Sequence, residues 1–88
     1  MPKIKPSPIK AQAEIVHNNI VYRGALFGCK TDRDFGGALG IDPTSFMHRR
    51  HDPRLWRLDE LIRATIAFKC TLGWLMTDHT GQITEDKP

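Results

Sequence analysis

The sequence predicts an all-α protein, a compact bundle of about five short helices preceded by a flexible N-terminal arm. Residues that start helices recur along the chain, and glycine or proline follows the first three predicted helices at a position where a helix would stop. Residues 58–70 have the most regular helical spacing of apolar side chains. A chain of 88 residues is long enough for one such domain and too short for two.

The composition is that of an ordinary soluble globular protein. Apolar residues make up 40% of the chain and charged residues 26%, and no apolar run approaches the ~20 residues needed to cross a bilayer. The start of the chain, Met1–Lys5, is basic, but no apolar stretch follows it as in a secretory signal. We therefore expect a cytoplasmic protein that makes no contact with a membrane.

Positive charge is concentrated in the middle of the chain. The net charge is only +3 and the pI about 9.1. Between Thr44 and Trp56, however, three arginines and two histidines accompany a single acid, Asp52. Beyond Thr71 the acids predominate. A basic middle with an acidic tail is typical of a surface that faces a polyanion, and a merely solvated charged face is the alternative.

The cysteines and histidines do not predict a catalytic or metal site. Cys29 and Cys70 lie among apolar neighbours, where a reduced thiol acts as a small hydrophobic group. A disulfide, or a zinc site shared with His48 or His51, is the alternative. The histidines have no paired nucleophile and the glycines form no phosphate loop. We expect a protein that is not an enzyme and has no catalytic residue, metal, cofactor or small-molecule substrate.

The chain divides into an arm, a domain and a tail. Residues 1–17 carry three prolines among lysines and predict a basic arm, ordered at most near Ala11–Val16. Residues 18–77 contain the helix signals and form the domain. Residues 78–88 are polar and predict a frayed tail.

The domain is expected to open with a short helix. Asn18 or Asn19 can cap a helix through Ile20–Phe27, and Gly28 can end it. Because β-branched residues lie on both sides of the asparagine pair, a β-hairpin is the less favoured alternative.

The second helix is predicted from Asp32 to Leu39. Thr31 can accept a hydrogen bond from the first turn, and Phe35 and Leu39 share one face that would point inward. Gly36 and Gly37 each cost a helix about 1 kcal/mol relative to alanine. Their presence therefore indicates close packing of the backbone.

A third helix follows after a turn of about three residues. Gly40 can adopt the left-handed conformation that ends a helix, and Ile41 can pack between the two helices. Asp42 as the cap and Pro43 as the first helical residue open a helix that runs to about Arg50 and stops before Asp52–Pro53. Two short helices joined in this way form a helix-turn-helix unit.

The remaining helices complete the bundle. Leu58–Cys70 predicts a regular helix, and Thr71 can cap a final turn over Leu72–Met76. Trp56 and Trp74 are expected in the core or at its edge. The inward face of the longer helix is predicted to consist of Leu58, Leu61, Ile62, Thr65 and Ile66.

These elements resemble a known family. Residues 34–46 (DFGGALGIDPTSF) resemble the two-helix unit of Cro and lambda-type phage repressors, nearest to short phage-borne or mobile-element regulators of Gram-positive bacteria. The family typically continues, as here, with a basic run and an Asp-Pro (residues 49–53), a Leu-x-Glu-Leu helix (residues 58–61) and a last helix (residues 72–76). The resemblance covers about residues 19–77.

The chain departs from the family pattern at three places. Gly36 stands where the family usually has alanine, and Arg50 stands where it often has an apolar residue. Residues 1–17 lie outside the pattern altogether.

The resemblance implies a transcriptional regulator that binds double-stranded DNA with the third helix in the major groove. The implied base-contacting residues are Pro43, Thr44, Met47 and His48. Phe46 would point into the core on the opposite face. Because none of the four can make a bidentate contact to a base, specificity would rest partly on DNA shape. Thr44 could instead cap the first turn, His48 could be merely solvated, and Met47 could be a core or dimer contact.

Phosphate contacts are expected around that helix. The start of the second helix presents free N–H groups to an anion, and cationic or polar side chains surround it. The expected residues are Lys30, Thr31, Arg33, Ser45, Arg49, Arg50, Arg54 and Arg57. Arg50 could instead pair with Asp52 or Asp59, and Ser45 could serve as a cap. Lys3 and Lys5 could enter the minor groove, but a plain disordered tail is favoured for them.

The resemblance also implies a homodimer, at least on DNA, because paired half-sites need two reading helices. The first candidates for the dimer contact are Trp74, Leu75 and Met76. The expected setting is the nucleoid of a bacterial or phage-infected cell. The competing hypothesis uses the same fold as a protein-interaction module, such as an antitoxin or an adaptor. The missing bidentate base readers and the surface around Met47, Trp74 and Met76 favour that alternative.

Overall fold

A computed structural model describes residues 8–79 of the chain. These residues are all-helical and contain no strand. Within them, one 3-10 turn, Pro53–Leu55, lies between the third and fourth helices, and no helix is long and apolar enough to span a membrane. The α-helices are α1 (Pro8–Leu26), α2 (Asp32–Leu39), α3 (Pro43–His51), α4 (Leu58–Ala67) and α5 (Leu72–Met76).

The core is built around three phenylalanine rings. The Phe35 and Phe46 rings stack with centroids 4.6 Å apart, and Phe68 meets Phe35 edge-on at 6.1 Å. Aromatic pairs in these arrangements add about 1 kcal/mol beyond the burial of their area. The inward positions predicted for Phe35, Leu39 and Phe46 are therefore confirmed. The other buried apolar residues are Val16, Ile20, Ala64 and Leu75.

The first helix starts well before the predicted boundary. We expected an arm through residue 17, but α1 runs from Pro8 and includes Asn18 and Asn19 in its interior. The helix tolerates Pro8 because its first turn needs no N–H donor there. Val16 and Ile20, which lie in the core, fix the helix across the expected boundary. The β-hairpin alternative is wrong, and residues 1–7 lie outside the described part of the chain.

Polar side chains of α1 cap the ends of other helices. The Asn19 amide donates to the carbonyls of Leu75 and Thr77, both at 2.8 Å. The Arg23 guanidinium donates to the Phe68 carbonyl at 2.7 Å. Because the last carbonyls of a helix have no partner within it, these bonds satisfy acceptors that would otherwise be unpaired. The asparagine predicted to start α1 therefore holds α5 instead.

The α2–turn–α3 segment follows the sequence prediction closely. Thr31 caps α2 by accepting from the Asp34 N–H, and the Asp34 carboxylate accepts from the Thr31 N–H in return. Gly40 is left-handed, with φ of 74°. A Cβ atom on Gly36 would lie 2.5 Å from the Ile41 carbonyl oxygen, so the close packing predicted there is confirmed. At Gly37 nothing lies within 4 Å of such an atom, and the prediction is wrong.

The inward face of α4 differs from the prediction. Leu61 and Thr65 are half-buried, but Leu58, Ile62 and Ile66 face outward. The buried residues along this helix and at its end are Glu60, Ala64 and Phe68. The spacing of the large apolar side chains favours one face of α4, but the structure leaves most of that face exposed and buries Glu60 and Ala64 instead, which the spacing does not predict.

The end of the described chain is packed and not frayed. His79 is buried and stacks on the Trp74 ring at 4.0 Å. Trp74 and Trp56 are half-buried against the core, as predicted. Cys29 and Cys70 are free and pack against the same core. Burial raises the pKa of both thiols. Residues 80–88 of the expected tail lie outside the described part.

Candidate nucleic-acid interface

The outer face of α3 is the candidate base-contacting surface. Phe46 is 2% exposed and anchors the inner face of the helix. On the outside, Pro43, Thr44 and His48 are exposed, and Met47 is half-buried. All four predicted base-contacting residues therefore reach the surface, although Met47 offers only part of its side chain.

Arg49 does not belong to this outer face. Its guanidinium binds the Glu60 carboxylate through two hydrogen bonds of 2.9 and 2.8 Å and also donates to the Ser45 carbonyl. The two side chains are only 14% and 6% exposed. Burial alone would raise the pKa of Glu60, but hydrogen bonds from Arg49 and from the Arg57 N–H outweigh it and hold that pKa below its usual value. Arg49 therefore joins α3 to α4, and the phosphate contact predicted for it would require this pair to break.

Arg50 pairs with Asp32 at the start of α2. Both carboxylate oxygens of Asp32 accept from this guanidinium, and the contact lowers the pKa of Asp32. The alternative partners suggested by the sequence, Asp52 and Asp59, are wrong. The pair ties the C-terminal end of α3 to the N-terminal end of α2. An ion pair therefore packs the end of α3 at the position where the family often has an apolar residue.

The two later arginines are exposed but also pair with acids. Arg54 binds the Asp52 carboxylate at 3.0 Å, and Arg57 lies 3.5 Å from Asp59. Exposed pairs of this kind contribute little to stability and can exchange partners readily. Either arginine would therefore have to leave its carboxylate partner before it could bind a phosphate.

The start of α2 is partly occupied by its own acid. The Asp34 carboxylate accepts from the Lys30 and Thr31 N–H groups, which lowers its pKa. Thr31 is therefore a cap, and a phosphate would meet a carboxylate at this end of the helix. The Lys30 and Arg33 side chains are exposed, and neither forms an ion pair within residues 8–79. Ser45, on the first turn of α3, is half-buried.

A polar pocket beside the end of α3 was not predicted. It has a volume of about 310 Å³, and side chains of α1 and α3 line it together with Pro53. The lining side chains are Lys10, Glu14, His17, Asn18, Arg50 and His51. Lys10, Glu14 and Asn18 follow at intervals of four, so they share one face of α1. That spacing was visible in the sequence, but it has meaning only once residues 8–17 are known to be helical.

His17 forms the buried wall of that pocket. Its Nδ1 accepts a hydrogen bond from the Trp56 indole N–H at 3.2 Å. This nitrogen can accept only when it carries no proton, so the ring is neutral. The ring also packs against Phe46 at 5.7 Å. Burial lowers the pKa of His17, and the nearby Arg50 charge lowers it further. His17 therefore connects α1 to the back of α3 as a neutral side chain.

The residues predicted to form a dimer contact are mostly engaged within the chain. Leu75 is fully buried in the core, so the contact predicted for it is wrong. Trp74 lies between Tyr22, Arg23 and His79. Met76 is 42% exposed and lies at the edge of an apolar groove.

No group of three or more potential metal ligands is found among residues 8–79. No protein-family model, curated protein or solved structure gave a significant match to the chain.

Proposed function

We propose that the chain binds double-stranded DNA as a phage or mobile-element type of transcriptional regulator. In this proposal α2 and α3 act as a helix-turn-helix unit, and α3 lies in the major groove. One observation carries the proposal. The outer face of α3 presents Pro43, Thr44 and His48 exposed and Met47 half-buried, while contacts on the other sides of the helix, made by Phe46, Arg49 and Arg50, hold it in place.

A helix held in this way suits recognition of a rigid partner. A reading helix has to keep its angle to the domain, because a small change in that angle moves its side chains away from the bases. The Arg49–Glu60 and Arg50–Asp32 pairs join α3 to α4 and to α2. The charges of these two arginines therefore support the position of α3 and do not read the DNA.

Direct readout would then rest on Thr44, Met47 and His48. Thr44 can hydrogen-bond to a base edge or touch a thymine methyl group, and His48 can donate to a guanine acceptor. Arg49 could have made a bidentate contact to guanine, but its guanidinium is bound to Glu60. We therefore expect modest sequence preference, with DNA shape contributing the remainder.

Phosphate binding would rest on basic side chains that form no ion pair within residues 8–79. Lys30 and Arg33 flank the start of α2, and Lys10 and His51 meet at the pocket beside the end of α3. Because Arg50 joins the end of α3 to the start of α2, these residues lie at the same end of the α2–α3 unit, where one wall of a groove would pass.

The test is a salt series of DNA binding by fluorescence anisotropy with a duplex of mixed sequence. Each phosphate contact contributes about 0.9 to the slope of log affinity against log salt. We expect Arg33→Gln to lower that slope by about one contact. Lys69→Gln is the matched control, because Lys69 is exposed and follows α4, outside the proposed surface. Absence of binding at low salt by a folded protein would refute the proposal.

An apolar groove favours a second candidate function, that of a protein-interaction module. The groove has a volume of about 380 Å³ and lies between α1, the 3-10 turn and α5. Its walls include Ala13, Trp56, Leu61 and Met76. Capture of a defined partner protein that is lost in Met76→Asp, by a chain that retains no DNA, would favour this function.

A further inference from the structure

The outer face of α4 carries a row of exposed apolar side chains. Leu58, Ile62 and Ile66 are 63%, 46% and 73% exposed. They follow at intervals of four residues and therefore form one stripe along the helix. We call these three residues the α4 stripe. Scattered exposed apolar residues are ordinary, but an aligned row along one helix face is typical of an interaction surface.

The α4 stripe is not needed for the core of its own chain. The opposite side of α4 is filled by Ala64 and by Glu60, whose charge is compensated by Arg49. The stripe instead continues into an apolar groove of about 370 Å³ between α2 and α4. Ile66 forms part of the wall of this groove, with Ala38 and Ala67 beside it. The apolar surface is therefore wider than the stripe alone.

We propose that the α4 stripe pairs with the same stripe of a second copy of this chain, with the two α4 helices antiparallel. A twofold axis through Ile62 brings this residue against itself in the other copy. Because a helix rises 1.5 Å per residue, Leu58 and Ile66 lie about 6 Å on either side of that axis. Leu58 of one copy therefore meets Ile66 of the other at both ends. Such an isologous contact is closed and involves two copies only.

Charges beside the stripe favour the antiparallel arrangement. Asp59 and Arg63 lie on the same edge of the α4 stripe, are 53% and 48% exposed, and are 3.6 Å apart within one chain. Asp59 is three residues before Ile62 and Arg63 is one residue after it, so their heights are about 4.5 Å below and 1.5 Å above the axis. The twofold rotation keeps this edge on the same side and inverts the heights. Asp59 of one copy then lies within about 3 Å along the helix axis of Arg63 of the other, and the contact occurs twice.

A parallel pair would not have this complementarity. In a parallel pair the twofold axis runs along the helices, so the edge with Asp59 and Arg63 in one copy meets the opposite edge in the other copy. That opposite edge carries the half-buried and uncharged Thr65. The charges thus select a second copy in one orientation. This inference does not depend on DNA binding, because the outer face of α4 is not part of the surface proposed to contact DNA.

The first test is the mass of the full chain in solution across a concentration series, by sedimentation equilibrium. We expect a dimer that Ile62→Glu converts to a monomer, because the substitution places two like charges at the axis. Leu26→Glu is the matched control, since Leu26 is 59% exposed on α1, away from the stripe, and should dimerise as the wild type does. A wild-type monomer throughout the series, or an Ile62→Glu variant that still dimerises normally, would overturn the inference.

The second test exchanges the charges. Asp59→Arg and Arg63→Asp each turn both contacts between copies into repulsions, and each should weaken dimerisation by about tenfold or more. An equal mixture of the two variants should restore a heterodimer, because each contact between copies then joins an arginine of the first variant to an aspartate of the second. Pairing within one chain cannot be repaired by mixing, so a mixture that stays monomeric would overturn the antiparallel arrangement. Circular dichroism checks that each variant is folded before it is mixed.

Discussion

Gly36 and Gly37 are neighbours in α2, yet their surroundings predict opposite effects of substitution by alanine. A Cβ atom on Gly36 would lie 2.5 Å from the Ile41 carbonyl oxygen and 3.2 Å from the Pro43 nitrogen. Both contacts are to backbone of the turn into α3, which cannot rotate away as a side chain could. A Cβ atom on Gly37 would have no neighbour within 4 Å.

The magnitude follows from comparing the two substitutions. Each replaces a glycine inside the same helix, and alanine there is worth about 1 kcal/mol more than glycine. Gly37→Ala should therefore raise the free energy of unfolding by up to about 1 kcal/mol. Gly36→Ala gains the same helix propensity but also carries the cost of overpacking, which is about 1–3 kcal/mol. Because the neighbour here is rigid backbone, we expect the upper end of that range. The difference between the two variants isolates that cost.

The assay is urea unfolding of both variants, followed by circular dichroism. For a domain of this size, 1 kcal/mol corresponds to about 4–8 °C in Tm, so thermal unfolding gives a second reading. Because the clash displaces the start of α3, Gly36→Ala should also weaken DNA binding, whereas Gly37→Ala should leave it unchanged. Equal stability of the two variants would refute the assignment of close packing at Gly36.

Two further predictions concern buried polar groups. Arg49→Met leaves the Glu60 carboxylate buried without its partner and should lower the free energy of unfolding by about 3 kcal/mol. The Arg49→Met/Glu60→Leu double variant should recover much of that loss. Urea unfolding of both variants measures the two free energies. His17 has a lowered pKa in the folded protein, so its contribution to stability is complete above its unfolded pKa, near 6.5, and is lost as the pH falls through the folded value. Wild type should therefore lose stability on acidification from about pH 7 to pH 5, and His17→Gln should flatten that part of the profile. An unchanged profile would contradict the role given to His17.

Much of the fold could be predicted because helix starts are local. Thr31 and Thr71 accept hydrogen bonds from residues three positions later, and Pro43 is suited to the first position of a helix by its own ring. Gly40 ends α2 through a backbone conformation that glycine adopts without strain. These elements were predicted at their observed starts because each signal and its partner lie within a few residues.

The candidate site was less predictable because its charges have distant partners. Arg49 looks like a phosphate ligand in a basic run, but Glu60, eleven residues later, binds it. Asn19 looks like a cap for its own helix and instead holds carbonyls of α5. Nothing in the spacing of these residues identifies such partners.

By itself the sequence determined where α2, α3 and α5 begin, since caps and turns depend on neighbouring residues. The tertiary structure decided which arginines remain available to a ligand and which side of α4 faces inward. On that helix the periodicity of the large apolar side chains favoured a face that the structure leaves mostly exposed. The choice is made by the small side chain of Ala64 and the Arg49–Glu60 pair, which leave the row from Leu58 to Ile66 on the outside.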